Sequence, residues 1–401
     1  MASRPALRES EVTRAVELQG KRIILVGAGH AHLYVAAHAS VLTREGVRLV
    51  LVDPGNFWYS GLATGMLAGQ YDAQADQVDP ARLVERGGGE WVRDRLTRID
   101  VERQTAVLAS GNALKYDLLS LNIGSEVNAR DLPGAERHVW TVKPISNLWR
   151  LRQHIEERLE KPRQPPLRVI VVGGGPTGCE VAACIDSLAR RRGASLQLTL
   201  VARSDRLLPG LPFGAAQRMT NILVHRGIDV LLSWPVEQIE EDAVIGADDR
   251  RLPVDVAVVA TGLTAPGLLQ GLELPLDGGD GVRVRPTLQS VADDRIFAAG
   301  DCASLEGHRL PKLGVFGVRQ APVLLHNLDA SLKGRELKPY RPQRRYLMIL
   351  NLGCGRALAV YDRLYWLGRM SFWIKDRIDR RFLARYRTEK QQERRNSNRE
   401  K

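Results

Sequence analysis

The 401-residue chain is short of cysteine, with only Cys179, Cys184, Cys302 and Cys354. No two of them form a C-x-x-C pair, so neither a structural zinc site nor a dithiol relay is readable. So few also exclude a disulfide scaffold and fit a reducing compartment. Long apolar runs are missing too. No stretch of 18 or more apolar residues exists, so no membrane-spanning helix is expected. Residues 1–20 have no apolar core of the secretory kind and read as a disordered leader, which places the protein in the cytoplasm or on the inner face of a membrane. Aromatic residues are scarce at 5%, yet 44% hydrophobic and 26% charged residues exclude a mostly disordered chain. The length allows two or three domains.

Acidic residues run short towards the C-terminus. The formal net charge is +12, and residues 340–401 carry 17 Lys/Arg against 6 Asp/Glu, so the rest of the chain is nearly neutral. A neutral body with a basic end implies one localised anionic partner (a membrane, a nucleic acid or an acidic protein) or else a solubilising tail. Within this stretch, residues 346–352 and Ala357–Tyr361 read as two strands around Gly353-Cys354-Gly355. Trp366, Leu367, Met370, Trp373, Ile374, Ile378, Phe382 and Leu383 then recur at spacings of three and four, as on an amphipathic helix. Its other face holds Arg369, Lys375, Arg377, Arg380, Arg381 and Arg385. Such a helix suits an anionic bilayer surface better than a nucleic-acid groove, which needs no Trp/Met stripe, so no nucleic acid is expected. Packing of the stripe on the protein's own domains is the other reading. Residues 388–401 read as a disordered tail.

Two stretches carry phosphate-binding chemistry. Residues 23–26 form a short apolar, β-branched strand, followed at once by Gly27-Ala28-Gly29-His30-Ala31-His32, a helix over 31–43, and a second strand over 47–52 ending at Asp53. Gly27 permits the tight turn and Gly29 lets backbone approach a pyrophosphate. The helix N-terminus offers N–H groups and positive dipole, and Asp53 offers acceptors to ribose hydroxyls. His32 stands where a third glycine belongs, at a position that serves helix–strand packing. We read His30 and His32 as local hydrogen-bonding or packing histidines, and no metal site is expected.

The pattern returns after the Pro-rich linker Lys161-Pro162-Arg163-Gln164-Pro165-Pro166. A strand over 167–172 precedes Gly173-Gly174-Gly175-Pro176-Thr177-Gly178, with all three glycines present. The following strand ends at Ala202-Arg203, with no acid. An acid there favours NADH, whereas Arg203 offers a bidentate partner to a 2′-phosphate, so NADPH is expected at least as readily as NADH.

Further strings point to a family. Arg295-Ile296-Phe297-Ala298-Ala299-Gly300-Asp301 is an apolar strand ending in Gly-Asp, and Ala260-Thr261-Gly262 follows another apolar strand. Leu121-Asn122-Ile123-Gly124-Ser125 is a looser version of the latter turn. The sequence resembles the pyridine nucleotide–disulfide oxidoreductases, in the branch of type II NADH dehydrogenases. Within that branch it is most similar to the flavoprotein module fused to selenide, water dikinase in some bacteria. Tyr59-Ser60-Gly61, Val142-Lys143-Pro144-Ile145, Gly314-Val315-Phe316-Gly317-Val318-Arg319-Gln320 and Lys375-Asp376-Arg377-Ile378-Asp379-Arg380-Arg381-Phe382 carry that closer match, which covers about residues 21–387. The kinase half is absent.

The resemblance implies an α/β fold with two Rossmann-like dinucleotide-binding domains. An FAD-binding domain would be discontinuous over 21–145 and 276–330, with an NAD(P)H-binding domain inserted at 146–275. A C-terminal hairpin and basic amphipathic helix would occupy 331–387. Gly27, Gly29, His30, His32, Asp53, Gly300 and Asp301 would line the FAD site, with Asp301 on the ribityl chain. Gly173, Gly175, Gly178, Arg203, Thr261 and Gly262 would line the nicotinamide site. Glu180 falls where the family puts a carboxylate beside the nicotinamide–flavin contact, and Lys143 is a candidate for a cation near the flavin pyrimidine. Hydride would pass from nicotinamide to flavin. The disulfide reductases' cysteine pair is replaced here by Phe57-Trp58-Tyr59-Ser60-Gly61-Leu62. A quinone is the expected acceptor, although the family's quinone-string glutamines are Val315 and Arg319 here. Reduction of an acidic redox protein, or a flavin-based redox sensor on membrane or nucleic acid, are the alternatives.

Overall fold

The computed structural model describes residues 18–129, 132–160, 166–278 and 280–387. In chain order the elements that matter begin with β1 (Arg22–Val26), α1 (His30–Ala37), β2 (Arg48–Val52), α2 (Ser60–Leu67), β3 (Glu90–Val92) and β4 (Leu118–Leu121). Next come β5 (Val139–Thr141), α3 (Ser146–Leu159), β6 (Leu167–Val172), α4 (Pro176–Arg191), β7 (Leu196–Val201), α5 (Phe213–His225), β8 (Asp229–Leu231) and β9 (Val256–Val259). The last are β10 (Ile296–Ala298), α6 (Gly314–Leu332), β11 (Leu347–Asn351), β12 (Ala357–Tyr361), β13 (Leu364–Gly368) and α7 (Arg369–Ala384).

The chain divides into two compact units. The first comprises residues 1–57, 79–125 and 264–342, and the second 58–78, 126–263 and 343–401. In the first, five parallel strands lie in the order β10-β4-β1-β2-β3. These strands are short and apolar because both faces are covered. Ile23, Ile24, Leu25, Leu49, Leu51 and Phe297 are all wholly buried. Helices α1 and α6 pack against each other. Helix α1 stops at Ala37, short of the expected 43, and a separate turn covers Ser40–Thr43.

The second unit repeats this plan, with five parallel strands in the order β5-β9-β6-β7-β8. Helix α4 buries a continuous side, from Cys179 and Val181 to Leu188, against β6 and β7. Cys179 and Cys184 lie in that side as small apolar groups. Helix α2 packs on α3 and α4. A three-stranded antiparallel sheet, β11-β12-β13, carries α7.

The structure corrects the sequence reading of the C-terminal region. Trp366 and Leu367 belong to a third strand, β13, and the helix begins only at Arg369. Phe382 and Leu383 are core residues, and Phe382 stacks on Tyr59 at 4.6 Å. At the other end, Leu18 is buried and Gly20 N donates to Gly46 O at 3.1 Å, so the ordered chain starts before residue 21. Residues 1–17, most of the Pro-rich linker and residues 388–401 lie outside the described residues. No described helix is long and apolar enough to cross a membrane.

Candidate functional site

The first glycine turn is held by its neighbours rather than by its own chain alone. Gly27 has φ +83°, and a Cβ there would sit 2.7 Å from the Asn122 carbonyl, so only glycine fits. A Cβ on Gly29 would collide with the Asn122 side chain. Asn122 ties the turn together. Its Oδ1 accepts from Ala31 N (3.0 Å) and His32 N (3.1 Å), and its Nδ2 donates to Ala299 O at 2.6 Å. Asp53, at the end of β2, accepts from Ala28 N at 2.7 Å and Gly55 N at 2.9 Å. Burial raises its carboxyl above the usual range, and those two amides oppose the rise.

His32 is wholly buried. Its Nδ1–H donates to Gly27 O at 2.6 Å, and Nε2 accepts from the Ser120 hydroxyl at 2.8 Å. Burial lowers its pKa to about 4, so it is neutral, as the two opposite ring roles require. Where the ordinary fingerprint uses a missing side chain, this one uses a bonded imidazole. The His30 ring meets Phe57 edge-on at 5.1 Å and lies against Gly314, the first residue of α6. The starts of α1 and α6 thus stand side by side. Asp301 accepts from Ser125 Oγ at 2.7 Å, its carbonyl takes Lys312 Nζ at 2.7 Å, and Gly300 N donates to buried Gln320.

In the second unit, a Cβ on Gly178 would strike the Gly173 carbonyl, which is why the third glycine is kept there. Gly173 has φ +132°. Around Gly175 and Gly262 nothing lies within 4 Å of where a Cβ would project, so bare backbone faces open space. Helix α4 starts at Pro176 with no side-chain cap and no acid in its first turn. This donor set accepts an anion: an uncapped helix end, a glycine turn and free approach. Both turns therefore fit a dinucleotide. Arg203 is exposed at the end of β7, next to Ala202, which packs on Gly174. Thr261 Oγ1 donates to Asn128 O at 3.0 Å. Lys143 lies between β5 and α3, and its carbonyl accepts from Thr141 Oγ1 at 2.7 Å.

Glu180, one turn into α4, accepts from Asn351 N at 2.6 Å and Thr64 Oγ1 at 3.3 Å. Burial raises its pKa, and the Lys375 ammonium opposes that rise. Lys375 itself was expected to face lipid. It turns inward instead, donating to the Gly61 carbonyl and to Asp379 Oδ2 at 2.7 Å, with 13% of its side chain exposed. Tyr59 donates to Asp379 Oδ1 at 2.9 Å. Arg380 also turns in, binding Asp376 at 2.7 Å and lying over Tyr71, whose hydroxyl donates to Asp376 at 2.8 Å. Asp76 is wholly buried nearby. Asn122, Tyr59, Asp76, Lys375 and Asp379 were not read as site residues. Asn122, Tyr59, Lys375 and Asp379 lie within strings that carry the family resemblance, and helical spacing also puts Lys375 among basic neighbours.

The chain belongs to the pyridine nucleotide-disulphide oxidoreductase family, whose model matches residues 21–322. It is an FAD- and NAD(P)H-dependent oxidoreductase of the α/β, doubly Rossmann-like type. It is 26% identical over 380 residues to a demethylphylloquinone reductase of Synechocystis, spanning 88% of this chain and 93% of that one. It is 31% identical over 295 residues to a probable ferredoxin reductase of Castellaniella defragrans, spanning 70% and 67%. NDH2 of Plasmodium falciparum, solved with NADH, superposes with TM-score 0.75 at 15% identity over 89% of this chain and 97% of that one.

Proposed function

We propose that the protein oxidises NAD(P)H through FAD and passes the electrons to a quinone at a membrane surface. One observation carries this reading: the C-terminal module exposes several large apolar side chains among exposed arginines. Met370 is 65% exposed, Trp373 57% and Ile378 48%, with Leu364 and Trp366 of β13 also exposed. Arg369, Arg377 and Arg381 are exposed on the same helix and Arg385 at its C-cap, and Arg377 lies over the Trp373 ring. A lipid-soluble acceptor gives such apolar exposure a purpose. The names of quinone-reducing relatives support the same reading.

FAD would lie on the turn of Gly27, Gly29, His30 and His32, with Asp53 at its ribose and Gly300-Asp301 at its ribityl chain. The nicotinamide would lie on Gly173, Gly175 and Gly178, with Thr261 and Gly262 alongside and Arg203 at a 2′-phosphate. FAD supplies the two-electron relay when bound. Glu180 would orient the nicotinamide carboxamide, and Lys143 would stabilise negative charge near the flavin. This division of labour follows the flavin (21–145, 276–330) and nicotinamide (146–275) spans of the sequence.

Because Phe382, Leu383, Lys375 and Asp379 are interior, truncating α7 would destroy the module rather than test docking. The test is Met370→Ser, Trp373→Ser and Ile378→Ser together, on the full chain. Vesicles with anionic lipid should no longer bind this variant, and long-tail quinone reduction should fall with ferricyanide reduction kept. Undiminished vesicle binding would sink the docking surface. A second reading, reduction of an acidic redox protein, is favoured by the ferredoxin reductase match. It predicts that a ferredoxin-type protein outcompetes every quinone.

A further inference from the structure

Reduction of a quinone to a quinol takes two electrons and two protons. A hydride from NAD(P)H carries both electrons and one proton, so the protein must supply the second. Resting on the quinone reading above, we propose that Asp76 stores that proton and releases it towards the acceptor through the Asp379–Lys375–Tyr59 group.

Asp76 is 0% exposed, and neither carboxylate oxygen has a hydrogen-bond partner among the described residues. A buried carboxyl kept for structure would be bonded, because a bare buried carboxylate costs several kcal/mol. The cations around it are engaged elsewhere. From α7, Lys375 gives its ammonium hydrogens to Asp379 and the Gly61 carbonyl. Arg387, just beyond α7, donates to the Ala75 carbonyl. The second acid of the group, Asp379, accepts from Tyr59 and Lys375. On its own segment, Asp76 accepts at its main-chain carbonyl from Tyr59 N at 2.8 Å. Burial, reinforced by Asp379 and opposed by Lys375 and Arg387, holds its carboxyl well above the ordinary range. Its protonated form is thus favoured more than that of an ordinary carboxyl, and the Lys375 ammonium that opposes this also faces Glu180.

The balance is NAD(P)H + quinone + H⁺ → NAD(P)⁺ + quinol. The Asp76 O–H bond breaks as its proton passes to the neighbouring Tyr59–Asp379–Lys375 group, that group gives up a proton to form the quinol O–H bond, and a proton taken up from the medium restores the Asp76 carboxyl. Asp76 acts through other groups and does not itself touch substrate.

The experiment uses full-length, flavin-loaded protein carrying Asp76→Asn or Asp76→Glu. Ferricyanide accepts electrons without protons, and a short-chain quinone needs both. Asp76→Asn should keep flavin content and the NAD(P)H–ferricyanide rate. Its quinone rate should fall on the order of 100-fold, the scale of one lost acid, and should decline with rising pH where the parent is flat. Asp76→Glu should restore the quinone rate. Equal quinone rates and pH profiles for Asp76→Asn and parent would overturn the proposal. Where Asp76→Asn fails to fold, infrared difference spectra of the parent decide: a protonated carboxyl C=O band should change on reduction and move in Asp76→Glu, and absence of any such band overturns the proposal. A parent that reduces ferricyanide but no quinone sinks the acceptor reading, while the infrared band still judges Asp76.

Discussion

Replacing Lys375 by methionine would remove an ammonium that Asp379 and Glu180 share inside the second unit. Methionine fills nearly the same volume, so the cost is electrostatic rather than a cavity. The side chains of Lys375 and Asp379 are only 13% and 8% exposed, so water screens the pair weakly. Breaking a buried pair by deleting one member costs about 3–5 kcal/mol, because the other charge is left uncompensated. That is a large share of the roughly 5–15 kcal/mol that holds a folded protein together. Adding Asp379→Asn to Lys375→Met removes the stranded charge and should recover more than half of the loss. The sign of the pH dependence follows from Glu180. Its folded pKa is already raised, and loss of Lys375 raises it further. The folded state then binds protons that the unfolded state has released, so stability should fall as pH rises from about 4 through that raised value, more steeply in Lys375→Met than in the parent. Urea unfolding of the flavin-loaded protein, from pH 5 to 8, measures all three quantities. A single substitution costing under about 1 kcal/mol, with no recovery in the double, would refute the buried-pair account.

Arg203→Glu should shift preference from NADPH towards NADH, read from anaerobic flavin reduction rates; a parent that strongly prefers NADH, with an unchanged variant, would show that Arg203 does not face the nucleotide. Asp301→Ala should lower flavin occupancy as purified, by loss of a hydrogen bond worth on the order of 1–3 kcal/mol. Full yellow colour in that variant would remove Asp301 from the ribityl chain.

Both glycine turns, their strands and the Gly-Asp string were legible because they are local: each is a few residues whose spacing states its own geometry. Asn122 was not, since its role depends on β4 pairing with β1 in the register Val26↔Leu121, which brings a distant side chain to the turn. Lys375 misled for a different reason. Helical spacing puts it among basic neighbours, and only the packing of α7 on the β11–β13 sheet separates inward Lys375 and Arg380 from outward Arg377 and Arg381. His32 shows a third limit. A missing glycine signals a changed contact, while the replacement, two hydrogen bonds to Gly27 and Ser120, needs coordinates.

The pairing of β10 with β4 sets a schedule for synthesis. Leu121 is opposite Ala298, so about 175 residues separate the two edges of one parallel pair. At roughly 5–20 residues per second, a nascent chain exposes the bare side of β4 for about 10–35 s before its neighbour exists. An unpaired parallel edge is a template for other chains during that interval. Ribosome pausing beyond residue 298 should therefore be harmless to the first sheet, while pausing between 122 and 295 should send product into aggregates.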